Sequence, residues 1–228
     1  MLRKWEKLPV YMQTEEVEPY YDCLEKNKTS LAIKRIFDFT LALVMLIVLS
    51  PVLIFISVLI VKDSKGGIFY KQERVTQYGR KFKIFKFRTM VANADKIGTQ
   101  VTVQNDSRIT KIGQVLRKYR LDELPQLINI LLGDMSFVGT RPESTYYVKK
   151  YTPEMFATLL LPAGVTSEAS IRYKDEAELL NQAENVDEVY VNQVLPEKMK
   201  YNLESIKRFS LVSDLFTMIF TVIAVIKK

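Results

Sequence analysis

FTLALVMLIVLSPVLIFISVLIV, residues 39–61, carries no charge and has only Thr40, Ser50 and Ser57 as polar side chains. A buried amphipathic helix would show a polar face, which this stretch lacks, so it reads as a membrane segment. As one straight helix it would extend roughly 34 Å at about 1.5 Å per residue, enough to cross a hydrocarbon core of roughly 30 Å. Ser50-Pro51 sits almost at its midpoint, however. Proline removes a backbone donor and crowds the preceding turn, leaving two half-helices of roughly 17 Å that each reach about mid-bilayer. Prolines also occur in kinked spanning helices, and the flanks decide between the two geometries. Lys34 and Arg35 precede the segment and Lys62 and Lys65 follow it, so the cytoplasmic preference of basic residues draws both ends to one face. The expected element is a re-entrant helix-break-helix, broken at Ser50 and Pro51. Asp38 lies one turn from Lys34, near the headgroups, where a carboxylate is tolerated.

Composition narrows what the remainder does. The chain has 228 residues, 48% of them hydrophobic, enough to bury a core of its own. Thirty-three basic against 26 acidic residues give a net charge of +7, which favours anionic partners: nucleic acid, phospholipid headgroups or phosphorylated substrates. The absence of histidine excludes imidazole acid/base chemistry and His-containing zinc sites. A lone Cys23 excludes an internal disulfide or a CxxC site and fits a reducing, cytoplasmic setting. No Walker A loop, GxGxxG or internal repeat is present. The mixed-charge, aromatic residues 1–28 lack the apolar core of a signal peptide and read as a soluble extension.

Beyond the membrane segment, GGIFYKQERVTQYGRKFKIFKFRTM, residues 66–90, reads as two strands around a turn near Tyr78-Gly79. Period-2 geometry puts Lys86 and Arg88 on one face and Phe85 and Phe87 on the other. RITKIGQVLRKYR, residues 108–120, sets Ile109, Ile112, Val115, Leu116 and Tyr119 at helical spacing against Lys111, Gln114, Arg117 and Lys118, a basic amphipathic helix suited to an anionic membrane surface. The C-terminal SLVSDLFTMIFTVIAVIKK, residues 210–228, is short for a crossing and either lies in the interface or packs against the re-entrant hairpin. The fold class that follows is α+β and membrane-associated.

The chemistry concentrates in RLDELPQLINILLGDMSFVGTRPE, residues 120–143. Pro125 suits a first helical turn, LINILL continues the apolar run and Gly133 ends it, so Asp122 or Glu123 is expected at or near a helix N-cap. Capping alone would account for the pair. A carboxylate there also sees the positive end of the helix dipole and, with arginines folded inward, cations that favour its ionised form. An ionised carboxylate can be a nucleophile or a metal ligand, and attack on a phosphoryl centre needs its charge neutralised by arginines and a divalent cation. Arg141 follows a tight apolar segment, where a guanidinium can be held rigidly for bidentate phosphate contact.

Five landmarks occur in order: KRIFDF at 34–39, the Ser50-Pro51 break, FKIFKFRTM at 82–90, LRKYRLDELPQL at 116–127 and NILLGDMSFVGTRPE at 129–143. With them the chain resembles the monotopic phosphoglycosyl transferases, a bacterial sugar transferase family, from about Ser30 onward. The resemblance implies transfer of a phosphosugar from a nucleotide diphosphate sugar, usually a UDP-sugar, to polyprenyl phosphate at the cytoplasmic face of the bacterial inner membrane. It implies that Asp122 is the nucleophile of a covalent phosphosugar intermediate and that Glu123, with Asp122, holds Mg2+. Lys86, Arg88, Arg117 and Arg141 match cationic positions around the phosphates. The implied organisation is a soluble extension (1–28), a re-entrant membrane helix (29–65) and a cytoplasmic catalytic domain ending in an interfacial helix (66–228). The implied partners are the UDP-sugar, polyprenyl phosphate and membrane lipids, without nucleic acid; a homodimer or contacts with other glycan-assembly proteins are compatible with it.

The chain departs from the family pattern in two places. Thr140-Arg141-Pro142 stands where PRP is usual, and PAGVTSEASIRYKDE, residues 162–176, replaces PGITGWAQ. Arg172, Lys174, Asp175 and Glu176 either contact the nucleotide sugar or form a solvated turn into DEAELLNQ. The rival from another class is a membrane-tethered binder that holds nucleic acid or anionic lipid on its basic face without chemistry. Against it, such a binder has no use for an acid pair beside its cations.

Overall fold

The apolar stretch lies within one 36-residue helix, α2 (Lys28–Asp63), with Pro51 inside it. The computed structural model describes residues 2–92, 94, 106–173 and 185–226. Proline at 51 has no N–H for the carbonyl four residues back, that of Ile47. The Ser50 hydroxyl donates to this carbonyl instead, at 2.8 Å. The expected break is thus a proline accommodated inside a continuous helix, with its orphaned acceptor satisfied by the preceding residue.

Both ends of α2 are docked and its middle is not. Lys34, Asp38 and Ala42 are buried near one end and Ile56 and Ile60 near the other, whereas none of residues 43–55 is. At the first end Arg35 donates to the carbonyls of Ile130 (2.7 Å) and Leu131 (3.2 Å), Lys34 pairs with Asp214 at 2.5 Å and the Ser136 hydroxyl donates to Asp38 at 2.7 Å. At the second, the Asp63 carboxylate accepts from the Ile112 amide at 3.0 Å, and Arg88 donates to the carbonyls of Ser64 and Lys65, both at 2.7 Å. These carbonyls lie just beyond the last turn of α2, so Arg88 fastens the chain where the helix ends.

Around α2 the described residues form α1 (Glu18–Lys26), the antiparallel hairpin β1 (Phe69–Val75) and β2 (Lys81–Phe87), α3 (Lys111–Lys118), α4 (Gln126–Leu132), the parallel pair β3 (Met135–Val138) and β4 (Ala163–Thr166), α5 (Leu195–Lys207) and α6 (Leu211–Ile226). The hairpin turns at Tyr78 and Gly79 as the sequence predicts, both with positive φ. The Thr110 hydroxyl caps α3 by accepting from the Gly113 amide at 3.0 Å. Its Ile112 and Leu116 pack with Ile56, Ile60 and Phe87, while Val115 and Tyr119 stay exposed. α6 buries no side chain; it meets the body through Asp214, Met218 and Thr221, the last sharing a 2.7 Å hydrogen bond with Thr166.

Residues 1–28, expected as an extension, contribute to the main core. Leu8, Met12, Val17, Tyr20, Tyr21 and Leu24 are buried with Val75, Ala157, Leu160, Leu203 and Ile206. Each large apolar side chain removed from water contributes roughly 1.5–3 kcal/mol, so this segment is part of the body it precedes.

Candidate active site

Asp122 and Glu123 stand in a single 3-10 turn, Leu121–Glu123, and neither caps α4: the N-cap position is Pro125, without a side-chain bond. The helix begins later than the sequence predicts. Arg120, just before the turn, has left-handed φ/ψ of 52° and 25°, an uncommon conformation for a residue with a Cβ and one that recurs at functional sites. It swings the chain from α3 so that Leu121 and Leu124 pack onto the Ile56, Ile60 and Phe87 cluster while the acid pair faces the hairpin.

Three elements bring cations to the pair. Lys86, near the end of β2, places its Nζ 3.2 Å from Glu123 Oε1. Arg141, in the linker after β3, grips both oxygens of Glu123, at 2.6 Å and 3.4 Å; Arg120 Nη1 lies 3.8 Å from Oε1. Arg117 of α3 is steered by a 2.8 Å bond from its Nε to the Thr89 hydroxyl, and its charge acts on Asp122. The linker bearing Arg141 depends on two glycines: a Cβ on Gly164 would sit 2.1 Å from the Gly139 carbonyl oxygen, so only glycine lets the ends of β3 and β4 approach this closely. Behind Arg141, Glu143 is buried and accepts from the Tyr190 hydroxyl at 2.5 Å.

α4 is locked to β2 by Asn129, which no solvent reaches. Its Oδ1 accepts from the Phe85 amide and its Nδ2 donates to the Lys83 carbonyl, both at 2.9 Å. The side chain thus does what a neighbouring strand would do, and it fixes Lys86 relative to the turn that carries the acids.

The two carboxylates are electrostatically distinct. Burial would raise the Glu123 pKa, but the charges of Arg141 and Lys86 and the Arg141 hydrogen bond outweigh it and hold this carboxyl well below the usual range. For Asp122 burial prevails: its pKa is raised, with Lys86, Arg117 and Arg141 opposing the shift and Glu123 reinforcing it. The cations thus favour the ionised form of both carboxyls; they outweigh burial at Glu123, whereas burial outweighs them at Asp122. Among the described residues, none donates a hydrogen bond to the Asp122 carboxylate.

Of the residues singled out from sequence, Lys86, Arg117 and Arg141 meet at the acid pair and Arg88 does not. β2 ends at Phe87, and Arg88 turns to the carbonyls of Ser64 and Lys65, just after α2. Arg172 is exposed and pairs with Glu168 at 2.8 Å; Lys174, Asp175 and Glu176 lie outside the described residues. Arg120, Gln126 and Asn129 were missed. A left-handed arginine leaves no mark in the sequence, whereas polar side chains recurring every third residue through an apolar helix were a legible signal.

A family model described as bacterial sugar transferase matches residues 29–228. The chain belongs to the bacterial sugar transferase family. This sugar transferase chain is similar to the UDP-N-acetylgalactosamine-undecaprenyl-phosphate N-acetylgalactosaminephosphotransferase of Aeromonas hydrophila, 33% identical over 194 residues, which are 83% of this chain and 43% of the relative. It is 35% identical over 211 residues to the UDP-glucose:undecaprenyl-phosphate glucose-1-phosphate transferase of Escherichia coli K12, covering 90% of this chain and 42% of the relative. The undecaprenyl-phosphate galactose phosphotransferase of Salmonella typhimurium is 34% identical over 155 residues, 61% of this chain and 32% of its own length. The sugar transferase chain thus spans less than half the length of these three relatives.

Proposed function

We propose that this sugar transferase moves a phosphosugar from a UDP-sugar to polyprenyl phosphate through a covalent intermediate on Asp122. The observation that carries the reading is the division of labour in the acid pair: Glu123 takes the cations, and Asp122 stays buried beside them with no partner holding its oxygens. A carboxylate so placed is desolvated and reactive. An Asp122 oxygen attacks the sugar-bearing β-phosphorus, the bond to the bridging oxygen breaks, and UMP leaves with that electron pair. Lys86 and Arg141 then face the charge that develops on the phosphates. In the second step a phosphate oxygen of the polyprenyl acceptor attacks the same phosphorus and Asp122 departs as a carboxylate.

Mg2+ suits this donor set in type. Glu123 is held ionised and Asp122 adjoins it, and Mg2+ commonly takes one or two carboxylates together with substrate phosphates. Among the described residues no group of three acidic, histidine or cysteine side chains could cage the ion; Glu123 and Asp122 would hold it, with Lys86 and Arg141 beside them. Bound there, the ion would supply Lewis-acid neutralisation of the leaving phosphate.

The polyprenyl acceptor requires a site at the membrane surface. α2 is long and apolar enough to enter a bilayer, and its pattern of docked ends and exposed middle supports a bend at Pro51 that sends both ends back to the cytoplasmic face. The leucines flanking the acid pair pack on the second end of α2, which supports a reaction centre beside the interface. In a non-catalytic binder of nucleic acid or anionic lipid, Lys86 and Arg141 would be neutralised by Glu123, to no purpose.

The test is single-turnover kinetics with a panel of UDP-sugars and Mg2+ and no lipid acceptor. The expected result is a UMP burst of about one equivalent per site, with a phosphosugar on the peptide containing Asp122. UMP release only after acceptor is added, with no trappable adduct, would replace the covalent route by direct attack of polyprenyl phosphate.

A further inference from the structure

Glu143 is buried two residues after Arg141 and is held from two sides. On the β1 side its carbonyl accepts from the Val75 amide at 3.0 Å, and Arg74 Nη1 reaches the neighbouring Pro142 carbonyl at 3.5 Å. On the other side its carboxylate accepts from the Tyr190 hydroxyl at 2.5 Å and lies 3.8 Å from Lys198 Nζ. Lys198, on α5, also donates to the Tyr190 hydroxyl at 3.2 Å. Tyr190 and Lys198 are each 5% exposed. Tyr190 opens a π-helical turn, Tyr190–Val194, just ahead of α5, a backbone irregularity found often at functional sites. Its ring packs on Tyr147 with centroids 4.6 Å apart, and Tyr147 donates to Asp187 at 2.7 Å. Residues 187–198 therefore brace the chain that follows Arg141 at two points.

Burying a carboxylate and an ammonium costs several kcal/mol for each ion, and apolar side chains of like volume would fill the space without that cost. What the network supplies is one fixed position for Glu143. Pro142 has a fixed φ, so little freedom remains between the held Glu143 and Arg141. Glu123, and after it Asp122 and Glu143, hold the Arg141 guanidinium above its ordinary pKa against the effect of burial. Arg141 thus stands with Glu123 in front of it and Glu143 behind.

From this geometry we infer that Tyr190 is a positioning residue for the reaction: by fixing Glu143 it keeps the Arg141 guanidinium aimed at the acid pair and at the phosphate that binds there. The inference rests on the part given to Arg141 in the function proposed above. Tyr190 acts through Glu143 and contacts neither substrate.

The test is a double-mutant cycle on the UMP burst. Tyr190→Phe removes only the hydroxyl and should slow the burst about 10-fold, the order of one hydrogen bond to a charged group. In an Arg141→Lys background, where the planar fork is already lost, the same substitution should slow the burst by less than about twofold. A network that serves stability alone would give the same factor in both backgrounds; that result overturns the inference, as does a wild-type rate in Tyr190→Phe. Lys198→Met, which keeps the hydroxyl and removes the cation that donates to it, is the second variant for the cycle and should show the same dependence on Arg141. Another measurement needs no turnover. In protein labelled with 15N-arginine, the Nε–H resonance of Arg141, assigned by its loss in Arg141→Lys, should move on Tyr190→Phe while that of Arg117 holds; an unmoved Arg141 resonance overturns the inference. Failure of the wild-type protein to give any burst would sink the covalent route itself, and the Arg141 resonance would then decide the inference alone.

Discussion

Replacing Arg141 by lysine separates charge from shape at the acid pair. Arg141 contacts both Glu123 oxygens, at 2.6 Å and 3.4 Å, and Lys86 already sits 3.2 Å from one of them. A lysine at 141 would keep Glu123 compensated, so the fold should persist. An ammonium is a point donor, however, and cannot grip a phosphate through two parallel N–H groups. Losing one charge-assisted hydrogen bond in the transition state corresponds to about 1.5–3 kcal/mol, or roughly 10- to 150-fold in rate. The assay is the UMP burst under single turnover, with thermal unfolding as the control for folding. A burst rate within threefold of wild type, at unchanged thermal midpoint, would refute the reasoning that Arg141 clamps phosphate through its planar fork.

Asp122→Asn should abolish both the burst and the trapped adduct, as read by mass spectrometry of the peptide, because an amide is a poor nucleophile. Glu123 has a folded-state pKa below its unfolded value, so the stability it contributes is present above the unfolded carboxyl pKa of about 4.3 and is lost as pH falls below it. Acid unfolding of Glu123→Gln should accordingly be less steep than wild type in that range. Asn129→Leu should lower stability by about 2 kcal/mol or more, since two backbone groups of β2 lose their partner; denaturant titration measures it. With Cys23 replaced by serine, Ser30→Cys and Ser64→Cys should both resist impermeant thiol reagents in intact cells, and adding Pro51→Leu should expose a fraction of Ser64→Cys by restoring the helical bond at Ile47.

The features legible in the sequence were those with a period or a punctuation mark: the uncharged run around Pro51, the hairpin closed at Gly79 and the acid pair among basic residues. Arg88 was misplaced because alternation was extended one residue past the strand, and a strand's last residue has no sequence signature. The capping role given to the acid pair rested on starting a helix at Pro125, and the 3-10 turn at Leu121–Glu123 intervenes. Residues 1–28 read as an extension from their mixed charge and aromatic content; the distant partners Ala157, Leu160 and Leu203 give Leu8, Met12 and Val17 a core to join. The opposite fates of Asp122 and Glu123 were out of reach of sequence altogether, since they depend on where Lys86 and Arg141 arrive from other parts of the chain.

Lys86 and Arg88 are two residues apart, roughly 7 Å along an extended chain. One reaches Glu123 and the other holds the carbonyls that follow α2. If α2 is seated in the bilayer as proposed, this short ruler sets the depth of the reaction centre. The carboxylate proposed as nucleophile would then ride at a constant height above the lipid, level with the phosphate of the proposed acceptor. Donor specificity could then diverge in the soluble body without recalibrating where the two substrates meet.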